Sequence, residues 1–465
     1  MVSTLKESLV ASLEIVNSTH LAGEPPKNQQ EARVIANKAL DYLQQGKNEE
    51  ALALFLKALE SDSEMVMALS GTIEAYMNLG YSIHALEYIP KALELDPNNL
   101  GINLLYAKIL IERYRYNEAK KICERLYKSY PNDPKVMVVY LQYLLSVNSY
   151  KTAKQISERL LKISKSPSSY NNTGLIYLEL GDMKTAIELF RKGFYQFIKH
   201  PISNSKPPEP FMEVSLAKEA LLDIKRALDS LKIPFILVAG TLLGIYRDGD
   251  ILPHDKDIDF GLPWNTPRLE LINALKAYGY TCTYSEEEIM GSKGLWNISV
   301  AHIKYGIGID FFFIQPRDDG YVYWGLDKNG KTFLTRNKKF GRSTIEYVGE
   351  TFYIPDNPAE HLEEIYGEGW GTPQANYNTL ILGANIVDIS GVGIALCYNH
   401  CLGNICEGRY KKAHGYTMQL LSVHNDPILE KVKLHIEEHV NDQQWYEPIP
   451  IKQHRTDNTI FGLNK

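Results

Sequence analysis

The stretch "GTLLGIYRDGDILPHDKDIDFGL" (residues 240–262) decides how the second half of this chain is read. Asp255, Asp257 and Asp259 occupy alternate positions, with apolar Ile258 and Phe260 between and after them. In a strand, successive side chains point to opposite faces, so this spacing predicts three carboxylates on one face and a core on the other. Like charges that close repel unless something positive sits between them. Just upstream, "IPFILVAG" reads as a buried strand ending in glycine, "TLLGIYRDG" as a short helix and "KDIDFGLP" as a second strand. Gly240 and Thr241, at the helix start, would then present free N–H groups to phosphate oxygens. Asp257 and Asp259, roughly 6 to 7 Å apart at the backbone, are spaced to share one hard cation, Mg²⁺ or Mn²⁺. Arg247 offers a planar fork for phosphate, against a competing surface pairing with Asp248 or Asp250. Further on, Asp310 lies among Ile309, Phe311, Phe312 and Phe313, where an unpaired carboxylate is costly. A shared cation is its simplest partner, and a buried salt bridge the other.

The first half follows a different rule. Ala51, Ala85, Ala119 and Ala153 are each 34 residues apart, and Ala186 follows after 33. Tyr42, Tyr76 and Tyr177 lie nine residues before their alanines, and Phe55, Ile89 and Phe190 lie four after. Small residues at fixed places let helices approach, while the larger ones fill the space between units. Pro97 and Pro131 end the second and third units. The pattern resembles the tetratricopeptide repeat family, which implies a helical superhelix over 31–198, in about five repeats, with a concave face that docks a partner protein.

Bulk properties narrow the function. The chain has 465 residues, 44% hydrophobic and 23% charged, with a formal charge of −6, which argues against a general nucleic-acid binder. The start lacks a signal-peptide pattern, and Leu5, Leu9, Leu13 and Val16 fit a short amphipathic helix. No apolar stretch reads as a membrane span, so the expected compartment is the cytoplasm. Of five cysteines, Cys397, Cys401 and Cys406 cluster with His400 and His414; the spacing fits buried thiols better than zinc. The domain plan is an N-terminal helix and linker at 1–30, the repeats, a proline-rich linker at 199–213, a catalytic domain at 214–430 and a tail at 431–465. The run "KNGKTFLTRNKKFGR" (328–342) carries six basic residues and no acidic ones. It reads either as a solvated hairpin or as a site placing Arg336, Lys338 or Lys339 near an anionic substrate.

The glycine turn, Arg247 and the Asp255-Asp257-Asp259 ladder resemble the LicD and fukutin-related family of phosphotransferases. "GIGIDFFFIQP" is similar to the family's later strand, and "GETFYIPDNPAEHLEEIYGEGWGTP" to its downstream element. The resemblance runs from about 215 to 375. It implies an α/β, mixed-sheet domain of nucleotidyltransferase type. It also implies transfer of a phospho-alcohol, phosphocholine or a polyol phosphate, from a CDP-activated donor to a sugar hydroxyl of a cell-surface glycan or its precursor. On this reading Asp257, Asp259 and Asp310 hold the metal, with Asp255 in support, and Asp310 completes the shell or takes the attacking hydroxyl's proton. Gly240, Thr241, Arg247, Arg336 and Lys338 hold substrate or phosphate. Assembly would take place in the cytoplasm, at the inner membrane face. The competing readings are a nucleotidyltransferase using CTP or ATP, and a repeat scaffold with a non-catalytic transferase domain.

Overall fold

A computed structural model describes residues 29–200, 212–285, 288–289, 295–374, 377–387 and 391–440. The expected N-terminal helix, most of the proline-rich linker and most of the C-terminal tail lie outside the described residues. Ten helices, α1 (Gln29–Gln44) to α10 (Met183–Phe197), form five antiparallel pairs. Ala51, Ala85, Ala119, Ala153 and Ala186 are all fully buried, each in the second helix of its pair. The positions four residues on, Phe55, Ile89, Cys123, Ser157 and Phe190, are buried too. Side chains of Asn99, Asp133, Ser166 and Asp182 cap the helices they precede, each accepting a bond from an otherwise unpaired N–H. The turn inside every pair needs one residue in the left-handed region: Gly46, Gly80, Tyr114, Asn148 and Gly181, with φ between 55° and 79°.

The second half builds a mixed seven-stranded sheet, the all-α array and α/β domain being two architectures in one chain. Helix α11 (Val214–Ser230) precedes strand β1 (Ile236–Leu237), the short helix α12 (Ala239–Leu243) and β2 (Asp257–Pro263). The sheet continues with β3 (Tyr280–Thr281), β4 (Asn297–His302), β5 (Ile307–Pro316) and the hairpin β6 (Tyr321–Lys328) and β7 (Lys331–Lys338). Its order is β1-β2-β5-β4-β3, with β2 and β5 parallel and β6 extending from the far end of β5. Alternation divides the sheet. Ile258, Phe260, Ile309, Phe311, Ile298 and Val300 turn to one side and bury against Leu221, Ile224 and Leu228 of α11.

The expected end of the catalytic domain at 430 cuts through a helix. After α13 (Arg268–Ala277), α14 (Pro358–Tyr366) and the short α15 (Thr379–Leu382), helices α16 (Gly391–Cys406), α17 (Tyr410–Val423) and α18 (Pro427–His439) form an antiparallel set. They close over Phe190, Phe194 and Phe197 of α10, continuing the repeat array rather than the sheet. Cys397 and Cys401 are buried on α16, whereas Cys406 is exposed. Among the described residues, no cysteine–histidine group comes close enough to hold a metal.

The array and the sheet also touch directly. Arg113 Nη2 donates to the Tyr305 carbonyl over 2.6 Å. Lys328 Nζ pairs with Glu179 over 2.8 Å, and Asn329 Nδ2 donates to the Leu180 carbonyl. The basic hairpin is therefore anchored at its tip on the last repeat.

Candidate active site

Strand β2 begins at Asp257, so Asp255 stands in the turn before it rather than on the expected strand. It nevertheless reaches the same place. One carboxylate oxygen from each of Asp255, Asp257 and Asp259 lies within 4.8 Å of the others. The parallel register sets Asp257 beside Gly308 and Asp259 beside Asp310, and the antiparallel one sets Asp310 beside Ser299. All four carboxylates thus meet on the polar face of the sheet, although Asp310 stands outside the close group of three. The expected trio gains Asp255 as a full member and holds Asp310 one strand away.

Gly240 gives its N–H to this cluster rather than to phosphate, and the Thr241 hydroxyl serves the cluster too. Gly240 N–H donates to Asp259 Oδ2 over 3.0 Å, and Thr241 Oγ1 accepts from Asp259 N–H over 2.8 Å. A carboxylate so near is a stronger acceptor for that N–H than solvent. A Cβ at 240 would lie 2.0 Å from Asp255 Oδ2, so any larger residue there would push that carboxylate out of its place in the cluster. The chain then runs through a π-helical turn, Gly244–Asp248, of a kind frequent at functional sites.

Burial, followed by mutual repulsion, raises the carboxyl pKa values. Asp257 is pushed up to about 7 by desolvation and then by Asp255. Asp310 also rises to about 7, through desolvation and then Asp257. Fully enclosed Asp259 goes well above the usual range, and Asp255 is raised, both chiefly by desolvation. An all-oxygen donor set that charges only with difficulty fits a hard divalent cation, which would replace the missing positive charge.

Three expected phosphate ligands make other contacts in this structure. Arg247 makes a two-pronged pair with Asp248, Nε to Oδ1 and Nη2 to Oδ2 each over 2.8 Å, while Nη1 donates to the Trp370 carbonyl. The adjacent carboxylate has captured the fork. Lys338 pairs with Glu360 and Glu364 of helix α14 (Pro358–Tyr366), and the Arg336 guanidinium lies over the Tyr321 ring at 4.7 Å. Neither lines the cavity beside the aspartates.

Other residues lie within the electrostatic reach of the aspartates. Lys412 of α17 acts on the charge of Asp255, and Lys256 lies in the field of both Lys412 and Arg409. Tyr366, at the end of α14, has its hydroxyl pKa raised by burial and then by Asp259 and Asp255. A cavity of about 190 Å³ opens against Asp257 and Asp310, and Tyr114 and Tyr116 of the third repeat form part of its wall. The sequence held one signal for Tyr114: its repeat-register position is glycine at 46, 80 and 181. Lys412 carries no such signal, since its helix belongs to neither the repeat nor the aspartate pattern.

Residues 232–357 match the LicD/FKTN/FKRP nucleotidyltransferase domain model, and 37–80, 84–140 and 167–195 match tetratricopeptide repeat models. The chain thus carries a LicD-type domain behind a tetratricopeptide array. The ribitol-5-phosphate transferase FKTN of Macaca fascicularis is 30% identical over 157 residues, 34% of this chain and 33% of that protein. The Homo sapiens protein of the same name is 29% identical over the same span. The chain spans about a third of the length of these curated relatives. Among solved structures, a thermophilic tetratricopeptide protein of Thermus thermophilus has a TM-score of 0.33 at 17% identity, covering 36% of this chain and 91% of its own. One from Parabacteroides merdae has a TM-score of 0.33 at 21% identity, covering 42% and 73%.

Proposed function

We propose that this chain is a phosphotransferase that moves a phospho-alcohol from a CDP-activated donor to a hydroxyl of a glycan or its precursor. A polyol phosphate such as ribitol phosphate is the first choice of cargo and phosphocholine the second. The observation that carries the reading is the meeting of Asp255, Asp257, Asp259 and Asp310 on one polar sheet face within the LicD-type segment. Asp255, Asp257 and Asp259 would hold Mg²⁺ or Mn²⁺, which when bound supplies a Lewis acid for the donor's phosphate oxygens. Gly240 and Thr241 fix Asp259 from both sides, so the cluster is oriented before substrate arrives. Lys256 and Lys412, whose charges act on Asp255, would meet the donor's anionic charge. Asp310, with its pKa near 7, is suited to take the proton of the attacking hydroxyl. The bond from phosphorus to the acceptor oxygen forms, the bond to the CMP oxygen breaks, and CMP leaves.

The repeats would dock a partner protein, in keeping with their family, with part of their surface given to the sheet. Among the described residues no helix is long and apolar enough to cross a membrane. We place the reaction in the cytoplasm, at the inner membrane face. The test is to incubate the full chain and Mg²⁺ with CDP-ribitol, CDP-glycerol or CDP-choline, and to detect CMP by mass spectrometry. Divalent-dependent CMP release that disappears in Asp257→Asn is expected. Pyrophosphate from CTP would move the assignment to nucleotidyl transfer, and no product from any donor would leave the scaffold reading.

A further inference from the structure

The turn of the third repeat departs from its neighbours in a way that the array does not need. Gly46, Gly80 and Gly181 supply the left-handed residue at no steric cost, and Asn148 is the side chain that best tolerates it. Tyr114, at φ 58°, is a bulky residue in a region that bulky residues avoid. Such strain persists only where the surroundings impose it, and it concentrates at functional sites.

What the conformation achieves is visible across the interface. The Tyr114 hydroxyl lies over Gly308 of β5, where a Cβ would come within 2.7 Å of it. The same position is 3.5 Å from Asp257 Cβ, so the phenol stands beside the carboxylate cluster. Burial, and then its neighbours Tyr116, Asp257 and Asp310, push the pKa of that phenol above its ordinary value. Tyr116 meets Tyr114 edge to face, with ring centroids 6.0 Å apart. Arg113 locks the turn by donating to the Tyr305 carbonyl and lying against Gly306.

The cavity they complete has a definite chemistry. Tyr114, Tyr116, Thr281, Ser299, Asp257 and Asp310 contribute rings, hydroxyls and carboxylates, and among the described residues no lysine or arginine lines it. That lining disfavours a phosphate and favours a neutral polyhydroxy compound, whose hydroxyls find acceptors and whose apolar face finds a ring. At about 190 Å³ the cavity is smaller than the ~300–1,000 Å³ of most small-molecule sites, which suits one sugar unit rather than a nucleotide. We propose that the third repeat completes the active site: Tyr114 and Tyr116 form the wall that receives one sugar residue of the acceptor. Specificity for the acceptor is then built partly from the repeat array.

This inference rests on the phosphotransferase reading, and its test separates the two. Methyl glycosides of galactose, N-acetylgalactosamine and N-acetylglucosamine serve as acceptor probes for the full chain, with CDP-ribitol as donor. Tyr114→Gly restores the residue that three other turns use, so its melting temperature should hold or rise. It should raise the KM for the glycoside tenfold or more while moving the KM for CDP-ribitol less than twofold. Tyr114→Phe, which keeps the ring, should fall between. Ligand-observed NMR of the same glycosides provides a readout independent of turnover. Glycoside binding that depends on Tyr114, with no CMP released from CDP-ribitol, CDP-glycerol or CDP-choline, would retire the phosphotransferase reading and leave the sugar pocket standing. Binding of no glycoside by the wild-type chain, or equal binding after Tyr114→Gly, would overturn the proposal.

Discussion

On β2 and β5, Ile258, Phe260, Ile309 and Phe311 turn toward α11, while Asp257, Gly308 and Asp310 turn toward the repeat array and Asp259 toward Gly240 and Thr241. The same two strands therefore present a sealed apolar surface and a charged one, offset by a single residue. The apolar face stabilises the domain in proportion to the area it removes from water. The charged face works against stability, because its carboxylates are desolvated and repel one another. A sheet that carries both can support a strained site on one side because the other side is well packed.

The sharpest way to break this comparison is to change one residue on each face. Asp257→Asn should lower turnover by about 10³-fold or more, while its melting temperature in EDTA stays level or rises. Asp255→Asn should lose activity to a similar degree, because Asp255 belongs to the close group of three. Retained activity in either variant would detach the cluster from the chemistry. Phe311→Ala, one residue from Asp310, should instead cost about 3–5 kcal/mol in urea unfolding and leave the KM of the remaining folded enzyme largely intact.

A pH series sharpens the comparison further. The pKa of Asp257 is raised from 3.8 in the unfolded chain to about 7 in the fold, so the folded state holds its proton over that window. The unfolded chain gives up that proton first, and the cluster's contribution to stability therefore falls as pH rises from about 4 to about 7. In EDTA, Asp257→Asn should flatten this part of the melting curve, and in the wild type added Mg²⁺ should do the same. A slope indifferent to both would mean that the face is solvated. The smallest expected effect is at the clamp between array and sheet. Glu179→Gln removes a partly buried ion pair with Lys328 and should cost about 1 kcal/mol or less in the same unfolding assay.

Much of this was legible in the sequence wherever the signal was local. A 34-residue period placed the buried alanines, and alternation placed Asp257 and Asp259 on one face, since both depend only on helix and strand geometry. For Arg247 the sequence left two partners open, phosphate or a neighbouring carboxylate, and the structure shows the pairing with Asp248. Gly240 was read as a donor to phosphate, although the nearest acceptor is Asp259, nineteen residues later. The domain boundary at 430 failed for a related reason. Helices α16 to α18 carry no repeat signature, and only the packing of Tyr398, Cys401 and Leu402 on α10 shows which core they complete. Contacts that join distant segments leave no period to detect.

That shared core also sets an order of events during synthesis. Phe190, Phe194 and Phe197 emerge from the ribosome roughly 200 residues before the helices that cover them, a lag of ~10–40 s at ~5–20 residues per second. Throughout it Phe194 and Phe197 lack Tyr398, Tyr410 and His435, the rings that meet them in the finished fold, whereas Phe190 already packs on Gly174 of its own repeat. A nascent chain of this kind is a natural client for a ribosome-associated chaperone. Shortening its C-terminal helices would make that transient exposure permanent.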